Sequence, residues 1–440
     1  MNFLSKMAQS KAIIFLFFNV IIAGIGFLNF SLLAHHYSPD FFGKWIAFIA
    51  GASFFEMIRS GLIQAAVIKF SIGQNQKTQN RYSHISFWAG FLLTCFISAL
   101  IFFTENLILF NSNLDTKAIS LFFDSFPLFF LISFPRSFIL WLWQGKRKYL
   151  AYFIFQLITF GIFSIFLLKE VLLGNSGLTP IQVYILTHAL CSIIALFYLR
   201  NSLLRFDYFS LLKLKELFSF GGYSMSTQLI INLLKTSDVL MIGYFSGPTS
   251  LALYAIPLKL TEVYDLITRS LTTNNYPHLI EIFNSKNKLT FNQILSKYII
   301  ISILLFALLS ATIGSFASPF TLLLGGSKYL DALYIIYIFL ITRLADPYIR
   351  FSGVAFEAIG RPSLNFIRYS LMLLVNVVLN YFVLFSGLAL EWVASVNIIV
   401  AITGLYFGFY YLKKCGIIIY FSEYKKYCKS VYQDLLPVFI

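Results

Sequence analysis

The first long apolar stretch of the chain, AIIFLFFNVIIAGIGFLNFSLLA, runs from Ala12 to Ala34 without a charged residue. A helix needs about 20 predominantly apolar residues to cross the hydrocarbon core of a bilayer, and this stretch is long enough. It follows Lys6 and Lys11, and it is too long for the core of a cleavable signal peptide. We therefore predict that it is a permanent transmembrane helix.

The rest of the chain repeats this pattern. Of the 440 residues, 59% are hydrophobic and 12% are charged, whereas soluble proteins carry about 25% charged residues. The apolar runs are continuous rather than alternating, which favours helices over a β-barrel. Twelve runs are predicted to span a membrane: 12–34, 42–67, 83–104, 119–144, 150–168, 180–199, 217–245, 250–275, 298–324, 331–357, 364–386 and 390–412.

Positive charges cluster in alternate loops. With a cytoplasmic N-terminus, twenty-two Lys and Arg, Arg368 among them, belong to cytoplasmic loops and tails, and only Lys44, Lys117, Lys169 and Lys328 lie outside. This bias predicts an even number of spans and cytoplasmic termini in a bacterial inner membrane. It also accounts for the net charge of +15. No nucleic-acid partner is predicted, because such a partner calls for one basic face on a soluble fold.

Short similarities between the halves of the chain indicate a repeat. Pro39–Trp45, at the start of the second run, resembles Pro248–Tyr254 at the start of the eighth. Six runs separate the two, so both halves have the same orientation. The predicted fold is therefore an all-α polytopic membrane protein with twelve transmembrane helices in two six-helix bundles. The bundles cover residues 1–205 and 206–440 and form a parallel repeat about a pseudo-two-fold axis.

Charged residues inside the apolar runs are the main functional signal. A charge at the bilayer centre costs at least about 2.5 kcal/mol on insertion scales, so it is expected to face a partner or a wet cavity. The bases are Arg59, Arg136, Lys235, Lys259, Arg269, Arg343 and Arg350, and the acids are Glu56, Asp124, Asp238, Glu262, Asp265, Asp346 and Glu357.

Two interpretations of these charges stay open, pairing between helices and binding of an anionic substrate. For Lys235 and Asp238, three residues apart, we favour pairing. Arg343 and Arg350 share one helical stripe with a single acid, Asp346, and there we favour binding.

Two other arginines differ from these pairs. Arg136 has no acid three or four residues away, so it is the best single candidate for an anion contact. Arg269 lies near the cytoplasmic end of its run, where its side chain can instead reach the lipid phosphates.

Three prolines lie inside charged runs. Pro135, Pro257 and Pro347 are predicted to kink the fourth, eighth and tenth runs, and a kink beside a charge cluster is a candidate gate. Static curvature, which is common in membrane helices, is the alternative.

Neither a cofactor site nor an enzymatic activity is predicted. Cys95, Cys191, Cys415 and Cys428 lack metal-ligand spacing, and the histidines form no ligand constellation. No glycine-rich phosphate loop is present. Membrane glycosyltransferases and polymerases need a large outside loop to hold the acceptor, and the predicted loops are short. We therefore predict no catalytic residue, no cofactor and no metal.

Several stretches resemble the Wzx-type polysaccharide flippases of the MATE-like exporter superfamily. The main one is Ser237–Gly247, SDVLMIGYFSG, which Ala252–Leu260 continues. The stretches Phe41–Trp45 and Gly326–Ala332 add to the likeness. Lipid II flippases, in the same superfamily, carry two further spans that the twelve predicted runs do not provide.

The resemblance implies a two-bundle fold with a central cleft that works by alternating access. It implies transport of an undecaprenyl-pyrophosphate-linked oligosaccharide to the periplasmic leaflet, for O-antigen, capsule or exopolysaccharide synthesis. A polysaccharide polymerase and a chain-length regulator are implied partners. The cleft cations that the resemblance implies for substrate binding are Arg59, Arg136, Lys259, Arg269, Arg343 and Arg350. Candidates for ion coupling or charge pairing are Glu56, Asp124, Asp238, Glu262, Asp265 and Asp346.

Other functions remain open at this stage. A MATE-like drug or cation antiporter needs acids in the cleft, and Glu56, Asp124 and Asp265 supply some. A non-transport scaffold of an envelope-polysaccharide complex should tolerate neutral replacements of the buried arginines. A major-facilitator carrier is disfavoured, because the loop at 69–81 contains no acid.

Overall fold

The apolar runs form helices in a computed structural model, which describes residues 11–64, 67, 76–111, 117–146, 148–174, 177–203, 211–285 and 287–421. The helices are α1 (Lys11–His36), α2 (Pro39–Arg59), α3 (Gln76–Asn111), α4 (Lys117–Gly145), α5 (Tyr149–Leu173), α6 (Pro180–Leu203), α7 (Leu211–Phe245), α8 (Gly247–Asn284), α9 (Lys288–Ser315), α10 (Ala317–Gly325), α11 (Leu333–Arg343), α12 (Asp346–Ala358), α13 (Pro362–Phe385) and α14 (Leu390–Lys414). A π-helical turn, Ser60–Gln64, follows α2, and a 3-10 turn, Ser327–Ala332, precedes α11. No strand occurs within the described ranges.

Nine helical segments of the described chain are long and apolar enough to cross a membrane. Helices suit this environment because each one satisfies its own backbone hydrogen bonds in lipid. The chain is therefore a multi-pass membrane protein. The nine exclude α1, α7, α8 and the short α10, and they count α11 and α12 as one segment. α8 carries four charged residues from Lys259 to Arg269. The count of twelve spans stays a prediction.

The chain divides into two compact units, Met1–Ala252 and Leu253–Ile440. The first unit includes α7, because this helix packs along α2 and the π-helical turn after it. The predicted boundary after residue 205 separates the two halves of the sequence repeat, which is a different criterion from compactness. That boundary stays a prediction.

In the first unit, α4 packs against α2, α3 and α6. Its buried face is aromatic, with Phe126, Phe130, Phe134 and Phe138 almost fully covered. Lipid tails are as apolar as these side chains, so close packing and polar contacts, rather than escape from water, hold such helices together.

In the second unit, α14 packs against α11, α12 and α13. Gly404 and Gly408 lie one turn apart on α14. A Cβ on Gly408 would come within 2.9 Å of the Tyr348 ring and 3.3 Å of Arg368 Nη1. Small residues at this spacing let membrane helices approach closely, and a larger residue at 408 would force the Tyr348 ring to shift.

The tenth predicted run, 331–357, is not one continuous helix. α11 ends at Arg343, α12 begins at Asp346, and Pro347 lies in the first turn of α12. Proline has no N–H for the Arg343 carbonyl and is well tolerated in a first helical turn, so the kink predicted at Pro347 takes the form of a break between two helices. The ninth run, 298–324, is also wrong as a single helix, since it divides at Phe316.

Candidate functional site

Four charged side chains of the second unit meet at the break between α11 and α12. We call Asp265, Arg343, Asp346 and Arg350 the arginine–aspartate cluster. Arg343 donates from Nη1 to Asp346 Oδ2 at 2.7 Å and from Nη2 to the Thr261 hydroxyl at 2.9 Å. Asp265 Oδ1 lies 4.0 Å from Arg343 Nη1 and 3.7 Å from Arg350 Nη2. Asp265, on α8, therefore faces both helices beside the break.

Local helix chemistry explains part of this arrangement. Arg343 lies in the last turn of α11 and Asp346 in the first turn of α12. A base at a helix C-terminus and an acid at a helix N-terminus are each favoured by the helix dipole. The interruption therefore brings together two opposite charges that both suit their positions.

The arginine–aspartate cluster is partly accessible and formally neutral. Its side chains are between 22% and 31% exposed. Two guanidiniums and two carboxylates leave no excess positive charge. An incoming anion must therefore compete with a carboxylate that is already in place.

Arg59, in the first unit, is completely buried. It forms an ion pair with Glu56 and donates to the Phe130 carbonyl at 3.0 Å and the Ser137 hydroxyl at 3.2 Å. Its guanidinium carbon lies 4.3 Å from the centre of the Phe130 ring, a cation–π contact. These contacts fasten α2 to α4. A substrate contact by Arg59 stays a prediction.

Arg136 is a buried cation without an ion pair in the described part of the chain. Its side chain is 9% exposed, and Nε donates to the Thr159 hydroxyl at 3.1 Å. Its backbone N–H donates to the Ser192 hydroxyl at 3.3 Å. Both hydrogen-bond partners of Arg136 are neutral hydroxyls, which makes Arg136 the strongest anion-binding candidate of the first unit.

The remaining predicted site residues belong neither to the arginine–aspartate cluster nor to the surroundings of Arg59 and Arg136. Lys259 pairs with Glu262 at 2.7 Å, and the Glu262 side chain is 52% exposed. Arg269, Lys235 and Glu357 are exposed, and Asp238 is buried. The side chain of Asp124 lies outside the described residues. Pro135 and Pro257 lie within the continuous helices α4 and α8. The gating role of the three prolines stays a prediction.

Arg368 is the functional-looking residue that sequence reasoning missed. The prediction that it is a cytoplasmic loop charge is wrong, because it lies in α13 and has no exposed surface. Its guanidinium donates to the Ile349 carbonyl and to Asn365 Oδ1, both at 2.7 Å, and to the Ser352 hydroxyl. A helical stripe of buried polar residues marks this face of α13: Asn365, Arg368, Asn376 and Asn380. That stripe is the signal that could have revealed it.

The described residues contain no group of three or more His, Cys, Asp or Glu that could hold a metal ion. The site consists of arginines, carboxylates and hydroxyls, a set suited to recognising an anion through charge-assisted hydrogen bonds.

A family model described as "Polysaccharide biosynthesis protein" matches residues 9–283, well over half of the chain. The chain belongs to this family. The match covers Arg59, Arg136 and Asp265 and ends in α8, before Arg343 and Arg350. It confirms the resemblance to the polysaccharide flippases. None of the curated proteins matches the chain in sequence.

Solved structures confirm the MATE-like fold of this family member. The lipid II flippase MurJ, in an inward closed conformation, matches with a TM-score of 0.75 at 14% identity over 97% of this chain and 92% of MurJ. An inward-facing multidrug resistance MATE family transporter of the MOP superfamily gives a TM-score of 0.74 at 14% identity over 89% and 94%. A MOP superfamily transporter from Pyrococcus furiosus gives a TM-score of 0.56 at 13% identity over 91% and 94%.

Proposed function

We propose that the protein is a flippase for an undecaprenyl-pyrophosphate-linked oligosaccharide, which it moves from the cytoplasmic to the periplasmic leaflet for surface polysaccharide synthesis. The observation that carries the proposal is the partly exposed arginine pair at the helix break, within a chain of the polysaccharide biosynthesis family. Arg343 and Arg350 are the proposed contacts to the pyrophosphate or to acidic sugars, together with Arg136 of the first unit.

Charge and geometry support these assignments. Ionised side chains inside a membrane segment are costly and usually serve a substrate or ion pathway. Arginine suits phosphate because its planar fork donates two parallel hydrogen bonds, whereas lysine offers a point charge. The guanidiniums of Arg343 and Arg350 both lie within 4.0 Å of Asp265 Oδ1. A diphosphate oxygen near the same position would meet both arginines.

The family and the fold also support transport rather than catalysis. MurJ is a lipid II flippase and the MATE relative is a multidrug transporter, and both share this fold. The substrate class of a flippase, a lipid-linked saccharide, fits the family description. A polysaccharide polymerase and a chain-length regulator are the proposed partners. Transport is proposed to be either uncoupled or driven by a proton or sodium gradient.

Deletion of the gene is expected to strip the finished polymer from the cell surface and to leave lipid-linked oligosaccharide on the cytoplasmic leaflet. The measurement is the surface polymer by immunoblot, together with accessibility of the lipid-linked oligosaccharide to an impermeant reagent added outside. Normal surface polymer in a deletion strain without a second flippase would refute the proposal.

We propose an inner-membrane topology with twelve spans, halves at 1–205 and 206–440, and both termini in the cytoplasm. A periplasm-active phosphatase reporter fused after Lys414, the last residue of α14, is expected to be inactive. The reason is the cluster of Lys and Arg on the cytoplasmic side. A matched fusion in the loop after α5 should be active. High activity of the Lys414 fusion would show an odd number of spans.

A MATE-like drug or cation antiporter is the second candidate. The observation that favours it is the partly exposed carboxylate of Glu56, which retains 35% exposure despite its ion pair with Arg59. An antiporter predicts that expression raises resistance to cationic drugs and that Glu56→Gln removes this resistance while surface polymer stays normal. The flippase proposal predicts no such resistance.

A further inference from the structure

Asp265 occupies the place in the arginine–aspartate cluster that an anionic substrate would need. Its Oδ1 lies 3.7 Å from Arg350 Nη2 and 4.0 Å from Arg343 Nη1. Both distances are too long for hydrogen bonds, which have donor–acceptor distances of about 2.7 to 3.2 Å. Asp265 therefore attracts both guanidiniums without fixing the geometry of either.

The second carboxylate of the cluster is held quite differently. Asp346 accepts a 2.7 Å hydrogen bond from Arg343, three residues earlier. It also lies in the first turn of α12, where the helix dipole stabilises a negative charge. A diphosphate that contacts both guanidiniums must take the position of the carboxylate that faces both of them. That carboxylate is Asp265, which belongs to a different helix, α8.

We propose that Asp265 is an internal competitor for the diphosphate of the substrate. It neutralises Arg343 and Arg350 while the site is empty, and it gives way when a diphosphate takes over both guanidiniums. This inference rests on the proposed function. The competitor makes the site selective, because a ligand must offer enough negative charge to replace a carboxylate at two arginines. A prenyl diphosphate meets that condition and a neutral prenyl alcohol does not.

Asp265 also contacts both helices beside the interruption. Arg343 ends α11 and Arg350 lies in α12, so their shared carboxylate links the two segments across Leu344 and Ala345. Displacement of Asp265 by a diphosphate would remove this shared carboxylate from both segments at once, while the Thr261 hydroxyl of α8 still accepts from Arg343. Substrate binding at Asp265 would thereby affect how firmly α11 and α12 are held on either side of their break.

The experiment measures binding of farnesyl diphosphate to the purified full-length protein in detergent, with farnesol as the probe that lacks phosphate. Asp265→Asn keeps the side-chain shape and removes the charge, so the competitor is lost. The variant is expected to bind farnesyl diphosphate about tenfold more tightly, because close charges of this kind couple strongly across a binding site. Binding of farnesol should stay unchanged.

Asp331→Asn is the matched control. It makes the same change in net charge at an exposed position of the 3-10 turn before α11. Its affinity for farnesyl diphosphate should stay within about twofold of wild type, because exposed distant charges are screened by salt. Equal tightening in both variants would overturn the proposal in favour of a general charge effect. If Asp265→Asn lowers the folded yield, Asp265→Ser must show the same tightening.

The outcomes separate this inference from the proposed function. If the wild-type protein binds farnesyl diphosphate no better than farnesol, both are overturned. If wild type binds the diphosphate, Arg350→Gln weakens that binding, and Asp265→Asn leaves it unchanged or weaker, the flippase proposal stands and the competitor role of Asp265 is overturned.

Discussion

Replacing Arg343 with Gln is expected to abolish surface polymer while protein abundance stays near that of wild type. Arg343 is partly exposed, so its loss leaves no large buried cavity, and Asp346 can still be solvated. Under the proposed function, the substrate would lose a bidentate phosphate contact that glutamine cannot replace, because glutamine is neutral and offers only one amide group. Arg343→Lys should restore function only in part, since the charge returns without the planar fork.

The measurement compares surface polymer by immunoblot with membrane abundance of a tagged protein. Arg350→Gln should give the same loss, because Arg350 faces Asp265 at 3.7 Å across the same site. The decisive control is the double variant Arg343→Gln with Asp346→Asn. If Arg343 only neutralises Asp346, removing both charges should restore export. Recovery in the double variant would rule out an obligatory substrate contact by Arg343.

Much of the fold follows from the solvent that a membrane provides. Lipid offers no hydrogen-bond partners, so long apolar runs must form helices, and their positions can be predicted from the sequence. The interruption at Pro347 was also predictable, because proline removes a specific backbone donor. The break at Phe316 lies between Gly314 and Pro319. Pro319 has no N–H for the Ser315 carbonyl, so the sequence held a signal that the prediction of one run over 298–324 did not use. The division after Ala252 depends on how α7 packs, and packing between helices leaves only a weak trace in a single sequence.

In the candidate site, too, contacts between residues close in sequence were predictable and contacts between separate helices were not. Arg343 and Asp346 are three residues apart, so helical spacing places them on one stripe, where pairing was the alternative to the favoured substrate binding. Asp265 reaches the same arginines from α8, and no spacing rule predicts a distance between two helices. Arg368 lies two turns inside α13, close enough to Arg361 and the preceding turn to pass for a loop charge. The position of a charge along the chain therefore says less than the buried polar stripe around it.

Arg368 provides the strongest expected effect on stability. It is fully buried, and among the described residues no carboxylate pairs with it. Arg368→Met keeps a long side chain but removes three hydrogen bonds, leaving the Ser352 hydroxyl and Asn365 without their donor. Each buried polar group left unsatisfied costs about 1 to 3 kcal/mol, so these two groups should cost the variant roughly 2 to 6 kcal/mol of stability. This is a large part of the stability of a typical protein.

The expected result of Arg368→Met is a strongly lowered melting temperature in detergent and a marked loss of protein from the membrane. Arg361→Gln is the control, because Arg361 lies seven residues earlier, is exposed, and contacts Cys415 only through a weak 3.6 Å interaction with its sulfur. That variant should melt near wild type. If Arg368→Met melts normally yet exports no polymer, Arg368 acts on the substrate rather than on the packing of α12 against α13. In that case Arg368→Met and Arg343→Gln would have the same phenotype, loss of export with a normal fold. If Arg368 is structural, only Arg368→Met should lower the melting temperature, and Arg343→Gln should lose export without losing the fold.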